Sequence, residues 1–175
     1  MTQKEIEPII RELCTLIYEL QFKDSIPVTT KNSLTDRYCR TISDYLGCEK
    51  ASVTHSTYYI LKNCKLWSVE AIKLYKKMQG NHNARCSSKK QGGTKFIVEH
   101  EYPLGVVKKL VQGKKFKSVD AVVKYMKKYA LPIIVTYDED ERLRVQQRTA
   151  ETLEEAEGRY KRAKIVVKRF EDWAT

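Results

Sequence analysis

Ile6, Ile9, Ile10, Leu13, Leu16, Ile17 and Leu20 recur three and four residues apart, and a stripe of this kind must be buried against something. The period predicts an amphipathic helix, with Pro8 tolerated near its first turn. The spacing returns at Leu34, Tyr38, Ile42, Tyr45 and Leu46 and stops at Gly47, and Ser33 with Asp36 has the form of a cap for that second helix. Ser68 opens "SVEAIKLYKKMQG", Leu104 to Val111 reads as a further helix, and Ser118 caps one running to about Tyr129. Two runs have strand composition, Lys95 to His100 and "LPIIVTY". The fold class is therefore α+β, predominantly helical with a small β element.

The tail from Thr149 onward sets Leu153, Ala156, Tyr160, Ala163, Val167 and Phe170 at alternating spacings of three and four, a heptad seam on one helix. That helix either docks on the protein's own core or joins two copies as a homodimer. "NHNARCSSKKQGG" is polar and ends in glycines, so it reads as an exposed loop and as the clearest internal boundary. It divides a helical part, 1–80, from an α+β part, 94–175.

Lys and Arg number 33 against 22 Asp and Glu, a net charge of +11, which points to a polyanionic partner. Cys14, Cys39, Cys48, Cys64 and Cys86 are odd in number and contain no C-x-x-C pair, so neither a disulfide framework nor a standard zinc site is expected. The start "MTQKEIEPII" lacks an apolar leader and no later run is long enough to cross a bilayer, so a cytoplasmic protein without membrane association is expected.

"TISDYLGCEKASVTHSTYYIL", residues 41–61, resembles the helix-turn-helix of bacterial transcription regulators. The resemblance rests on Ile42 and Leu46, on small Ser43 where helices approach, on Gly47 at the turn and on Val53 in the second helix. Glycine would allow the positive φ that ends the first helix. The resemblance implies that Lys50, Ser52, Thr54 and His55 face outward to touch bases or phosphates. An ordinary helical hairpin with a glycine cap is the other reading.

"VEHEYPL" resembles the first half of an HNH, or ββα-metal, nuclease, in which an acidic residue and a histidine end a strand and a proline follows. That resemblance implies an endonuclease of restriction or defence type using Mg²⁺ or Mn²⁺, with His100 as general base and Glu99 as a metal ligand. The family's later helix supplies an Asn or His, and neither residue follows His100 here. Substitutes come from "YDEDERL", where Glu139 and Asp140 are the candidate ligands, or from Asn81, His82 and Asn83. The plain alternative is a solvated helix start.

Strand alternation bears on this cluster. If Phe96 and Val98 face one side of a strand, His100 returns to that side and Glu99 faces the other, so a regular strand keeps the two out of one pocket. Pro103 requires regular pairing to stop nearby. No P-loop, dinucleotide fingerprint, H-E-x-x-H or serine elbow occurs.

Lys108, Lys109, Lys114, Lys115, Lys117, Lys124, Lys127 and Lys128 crowd the stretch just after the His100 segment. Such a density suits phosphate contact, since each neutralised phosphate releases counterions. Lys108, Lys109, Lys114, Lys115 and Lys117 join the candidate nucleic-acid residues, with a solvated helix face as the alternative. DNA is the expected partner and RNA the variant. Two functions follow: a metal-dependent nuclease that cleaves at His100, or a non-catalytic DNA-binding regulator or architectural protein.

Overall fold

A computed structural model describes residues 3–47, 59–60, 64–78, 85–86, 96–147 and 152–169. Helix α1 spans Gln3–Leu20 and α2 spans Val28–Gly47. Pro8 lies on the exposed side of α1, while Ile6, Ile10, Cys14, Ile17 and Leu20 are buried, as the stripe requires. The second helix begins earlier than Ser33. Pro27 precedes it and its carbonyl accepts the first helical hydrogen bond, from Lys31 N at 3.0 Å. Ser33 and Asp36 thus lie inside the helix, and Asp36 pairs with Arg40 one turn on at 3.1 Å instead of capping.

Helix α3, Val69–Lys77, and helix α5, Val119–Tyr129, start where the serines predict. Ser68 Oγ accepts from Ala71 N at 3.0 Å and Ser118 Oγ from Ala121 N at 3.2 Å. Helix α4, Leu104–Gly113, follows Pro103. Helices α1, α2, α4 and α5 enclose one apolar core, with Cys14, Cys39, Ile42, Val107 and Met126 among its fully buried members.

Strands β1, Tyr59–Ile60, and β3, Arg85–Cys86, pair antiparallel with each other. The end of the 41–61 segment is therefore extended rather than helical, and the polar loop at 81–93 contains a strand. Strands β2, Leu66–Ser68, β4, Phe96–His100, β5, Pro132–Thr136, and β6, Val167–Arg169, form a sheet in the order β4-β5-β2-β6. The β5–β2 pair is parallel and the other two pairs are antiparallel.

The sheet separates two apolar clusters. On one face Trp67, Phe96 and Ile134 pack with Ala71, Ile72 and Tyr75 of α3. On the other, Ile97, Ile133 and Val135 pack with Leu143 of α6, Tyr137–Gln147, and with Tyr160 of α8, Arg159–Arg162. Residues from both sides of the 81–93 stretch share the sheet and the helical core.

The C-terminal seam is not one helix. Thr152 and Glu155 form a capping box for α7, Leu153–Ala156, and Gly158 then takes φ 73°, which breaks the helix before α8. Ala156, Tyr160 and Ala163 of the seam are buried, Tyr160 and Ala163 against the protein's own sheet, and Val167 belongs to edge strand β6. Among the described residues the seam is therefore interrupted at Gly158 rather than continuous.

Gly47, the last described residue of α2, is needed for a reason other than the one expected. Among the described residues the only glycine with positive φ is Gly158. A Cβ on Gly47 would meet Pro132 Cγ at 2.0 Å, so the glycine is needed where α2 meets the start of β5. Among the described residues no helix is long and apolar enough to cross a membrane.

Candidate functional site

The register of β4 on β5 is regular from Phe96↔Thr136 to His100↔Pro132. Side chains on such a strand alternate between faces, and Glu99 and His100 diverge accordingly.

His100 turns toward α2. Its Nε2 shares a hydrogen bond with Ser43 Oγ at 2.7 Å, and Ser43 is buried. Burial pushes the imidazole pKa down to about 4; the guanidinium groups of Arg159 and Arg40 act in the same direction and the Glu99 carboxylate opposes them. The ring is neutral at pH 7, and its Nε2 is already held by a hydroxyl closed off from solvent. That geometry suits a buried polar contact between helix and sheet. Ser43 thus approaches β4 through a hydrogen bond rather than another helix through its small size.

Glu99 turns the opposite way, toward α6 and α8. Arg159 is fully buried, and its Nη2 donates to Glu99 Oε2 at 2.9 Å. The same guanidinium donates through Nε to Glu101 O at 2.9 Å and through Nη2 to His100 O. One side chain thereby takes up a carboxylate and two backbone carbonyls at the end of the strand, where pairing stops before Pro103 and those carbonyls would otherwise lack partners. Its CZ lies 5.4 Å from the Tyr160 ring centroid, a cation–π contact within the same pocket.

Asp140 and Glu139 adjoin in sequence yet serve different neighbours. Asp140 is fully buried, with Oδ2 2.9 Å from Arg144 Nε. Its pKa is pushed up to about 6, first by burial and then by the neighbouring Glu99 carboxylate, with Arg144 opposing. Glu139 is also buried, and its Oε2 accepts from Thr136 N at 2.9 Å, from Thr136 Oγ1 at 3.1 Å and from Ser68 Oγ. Thr136 Oγ1 accepts in turn from Glu139 N at 3.2 Å. This is a capping box at the start of α6, joined to the cap of α3 through Ser68.

The three candidate metal ligands therefore split. Glu99 and Asp140 come together, but a buried guanidinium already supplies the positive charge at Glu99, and Glu139 is occupied by the cap. Among the described residues no three of His, Cys, Asp and Glu are grouped so as to hold a metal ion, and these residues do not fit a divalent cation. The acids of "YDEDERL" divide at the helix start: Asp138 and Glu141 are exposed, while Glu139 and Asp140 are buried.

The lysines divide as well. Lys108 forms an ion pair with Asp36 of α2 and is 15% exposed, and desolvation lowers its pKa. It ties α4 to α2 rather than facing a partner. Lys109, Lys114, Lys115, Lys117 and Lys124 are exposed. Among the described residues none of these five makes an ion pair. Lys114 Nζ lies over the rings of Phe116 at 5.6 Å and Tyr125 at 5.2 Å, which fixes the turn between α4 and α5. Lys127 pairs with Glu7 of α1 at 2.5 Å.

Lys50, Ser52, Thr54 and His55 lie outside the described residues, as do Val53, Asn81, His82 and Asn83. The sequence presents Ser43 only as a small packing residue, and Arg159 only as one of the basic residues late in a helix. The T-x-x-E pattern of Thr136 and Glu139 is a local signal for the cap. Arg159 has no comparable signal, because its partners are 58 to 60 positions away. Comparison of the chain with family models, with curated proteins and with solved structures gives no match.

Proposed function

We propose that this protein binds nucleic acid, DNA foremost, as a non-catalytic binder that uses the lysines between positions 109 and 124 to engage phosphates. The observation that carries the reading is that Lys109, Lys114, Lys115, Lys117 and Lys124 are exposed and make no ion pair among the described residues, so their charge is available to a partner. A net charge of +11 supplies the long-range field, and lysines as point charges hold a phosphate backbone without reading its sequence.

The nuclease reading draws less support. A general base and a metal-holding carboxylate have to converge on one phosphate, whereas Glu99 and His100 leave β4 on opposite faces and both are taken up by interior partners.

The test incubates purified protein with supercoiled and linear DNA, with Mg²⁺ or Mn²⁺ and with EDTA, and reads the products on a gel beside His100→Ala. Retarded, uncut DNA is expected with and without metal. Affinity should fall with rising salt, and removing a lysine of the set should make that slope shallower by about 0.9 for each phosphate it neutralises. Metal-dependent cutting that disappears in His100→Ala would restore the nuclease, and absence of retardation at low salt would end the nucleic-acid reading.

A further inference from the structure

The α1–α2 turn and the lysine-bearing α4–α5 turn are one surface. Gln21, just past α1, exchanges two hydrogen bonds with Phe116: its Nε2 donates to Phe116 O at 3.2 Å and its Oε1 accepts from Phe116 N at 3.0 Å. Tyr18 Oη donates to Lys117 O at 3.5 Å. The ring of Phe22 stands edge-on to Tyr18, with centroids 5.2 Å apart at 74°, and Phe22 is 63% exposed. A lone exposed apolar side chain needs no explanation. This one is held by a neighbouring ring beside a turn that carries unpaired cations.

Lys23, next to Phe22 in the chain, and Lys115 and Lys117, on either side of Phe116, are exposed and, among the described residues, make no ion pair. Of the acids near these turns, Asp120 pairs with Arg11 at 2.7 Å and Asp24 lies 3.9 Å from Lys31, while Glu19 is exposed.

We infer that Phe22, Lys23, Lys115 and Lys117 form a site for an unpaired segment of nucleic acid, the ring stacking on a base while the ammonium groups hold the flanking phosphates. The inference rests on the nucleic-acid reading above and narrows its partner to single-stranded DNA or RNA. Every base has a π-face, so stacking on a phenylalanine is tolerant of sequence; a duplex covers those faces except at its ends. A ring flanked by lysines also suits an anionic lipid surface, but interfacial binding of that kind needs an apolar helix face. The apolar face of α1 is already buried in the helical core.

The experiment measures fluorescence anisotropy of labelled single-stranded DNA and RNA of about 16 nucleotides, the upper site size of a small binding module, and of a DNA duplex of the same length. Cosedimentation with phosphatidylserine-containing vesicles runs beside it. Phe22→Ala should weaken single-strand binding about tenfold while duplex binding changes less than about twofold, and Phe22→Tyr should restore the single-strand affinity. Lys115→Ala with Lys117→Ala should weaken both. Weaker binding by Phe22→Ala on the DNA or the RNA strand, with the duplex changed less than about twofold, upholds the site, and a loss on one strand alone names the sugar it accepts.

Equal weakening on strand and duplex, or none on either strand, overturns it. So does vesicle binding that depends on Phe22 while strand binding does not. If the wild-type protein binds none of the three nucleic acids, the reading above fails and this one with it; duplex binding indifferent to Phe22 removes this one alone.

Discussion

The two faces of β4 handle adjacent polar residues by opposite means. On the α2 side a histidine is kept neutral and given one buried hydroxyl, Ser43. On the α6 and α8 side a carboxylate is paired with a buried guanidinium that also takes up two strand-end carbonyls. Glu99 and His100 are neighbours in sequence and read as one cluster, but the pleat assigns them to two environments with different electrostatics. Adjacency along a strand is thus a poor guide to a shared site, whereas alternation is a good one.

The charged face should be the costlier to disturb. Arg159→Leu leaves Glu99 in the interior without its cation and two carbonyls without a donor. Breaking one side of a buried pair costs about 3–5 kcal/mol. Urea denaturation should show that decrease, and adding Glu99→Gln to Arg159→Leu should recover part of it, because the uncompensated charge is then gone. A single variant within about 1 kcal/mol of wild type would mean that the Arg159 network contributes little.

On the neutral face the corresponding change is Ser43→Ala, which leaves His100 Nε2 facing a methyl group. The expected destabilisation is about 1–3 kcal/mol, the cost of a buried polar atom left unsatisfied without a net charge. If Ser43→Ala costs as much as Arg159→Leu, the contrast between the faces fails.

Much of the fold is legible because it depends on local signals. The stripe of α1, the serine caps of α3 and α5, and the apolar runs of β4 and β5 stand where the sequence puts them. Strand alternation also separates Glu99 from His100, since it depends only on the geometry of one strand. What is not legible depends on distant contacts. The spacing of Leu153 to Phe170 fits a helix throughout, yet Gly158 breaks it, and the following segment pairs with β2 as an edge strand, a pairing no local period records. The burial of Glu139 and Asp140 depends on Ser68 and Glu99, far away in the chain. Gly47 suggests backbone freedom when read in the sequence, while its need is the proximity of Pro132.

The contrast between the faces sharpens with pH, because they titrate in opposite senses over one window. The His100 pKa falls from an ordinary 6.5 to about 4, so the unfolded chain binds more protons in that interval and stability declines as pH drops from 6.5 toward 4. Asp140 rises from an ordinary 3.8 to about 6, so the folded state binds more protons and stability declines as pH climbs from 4 toward 6. At about 1.4 kcal/mol per unit each full shift corresponds to about 3 kcal/mol, and in the wild-type protein the two offset. His100→Gln should leave a stability that falls with rising pH between 4 and 6, governed by Asp140 with Glu99 and Arg144. Asp140→Asn should leave one that rises, governed by His100 with Glu99, Arg159 and Arg40. Thermal melts across that range read both slopes, and slopes of the same sign would defeat the assignment.

The smallest effect separates two adjacent lysines in the same manner. Lys108 and Lys109 are consecutive on α4, but Lys108 is 15% exposed and paired with Asp36, while Lys109 is exposed and makes no ion pair among the described residues. Lys108→Ala removes a partly buried pair that holds α4 on α2, so its cost should appear as stability, about 1 kcal/mol, with duplex affinity nearly unchanged. Lys109→Ala should leave stability within about 0.5 kcal/mol. Its effect should appear instead as a shallower salt dependence of DNA binding, because neutralising one phosphate fewer releases fewer counterions. Equal salt slopes for the two variants would mean that Lys109 does not touch the phosphate backbone, and the interface would then have to be drawn around Lys114, Lys115, Lys117 and Lys124.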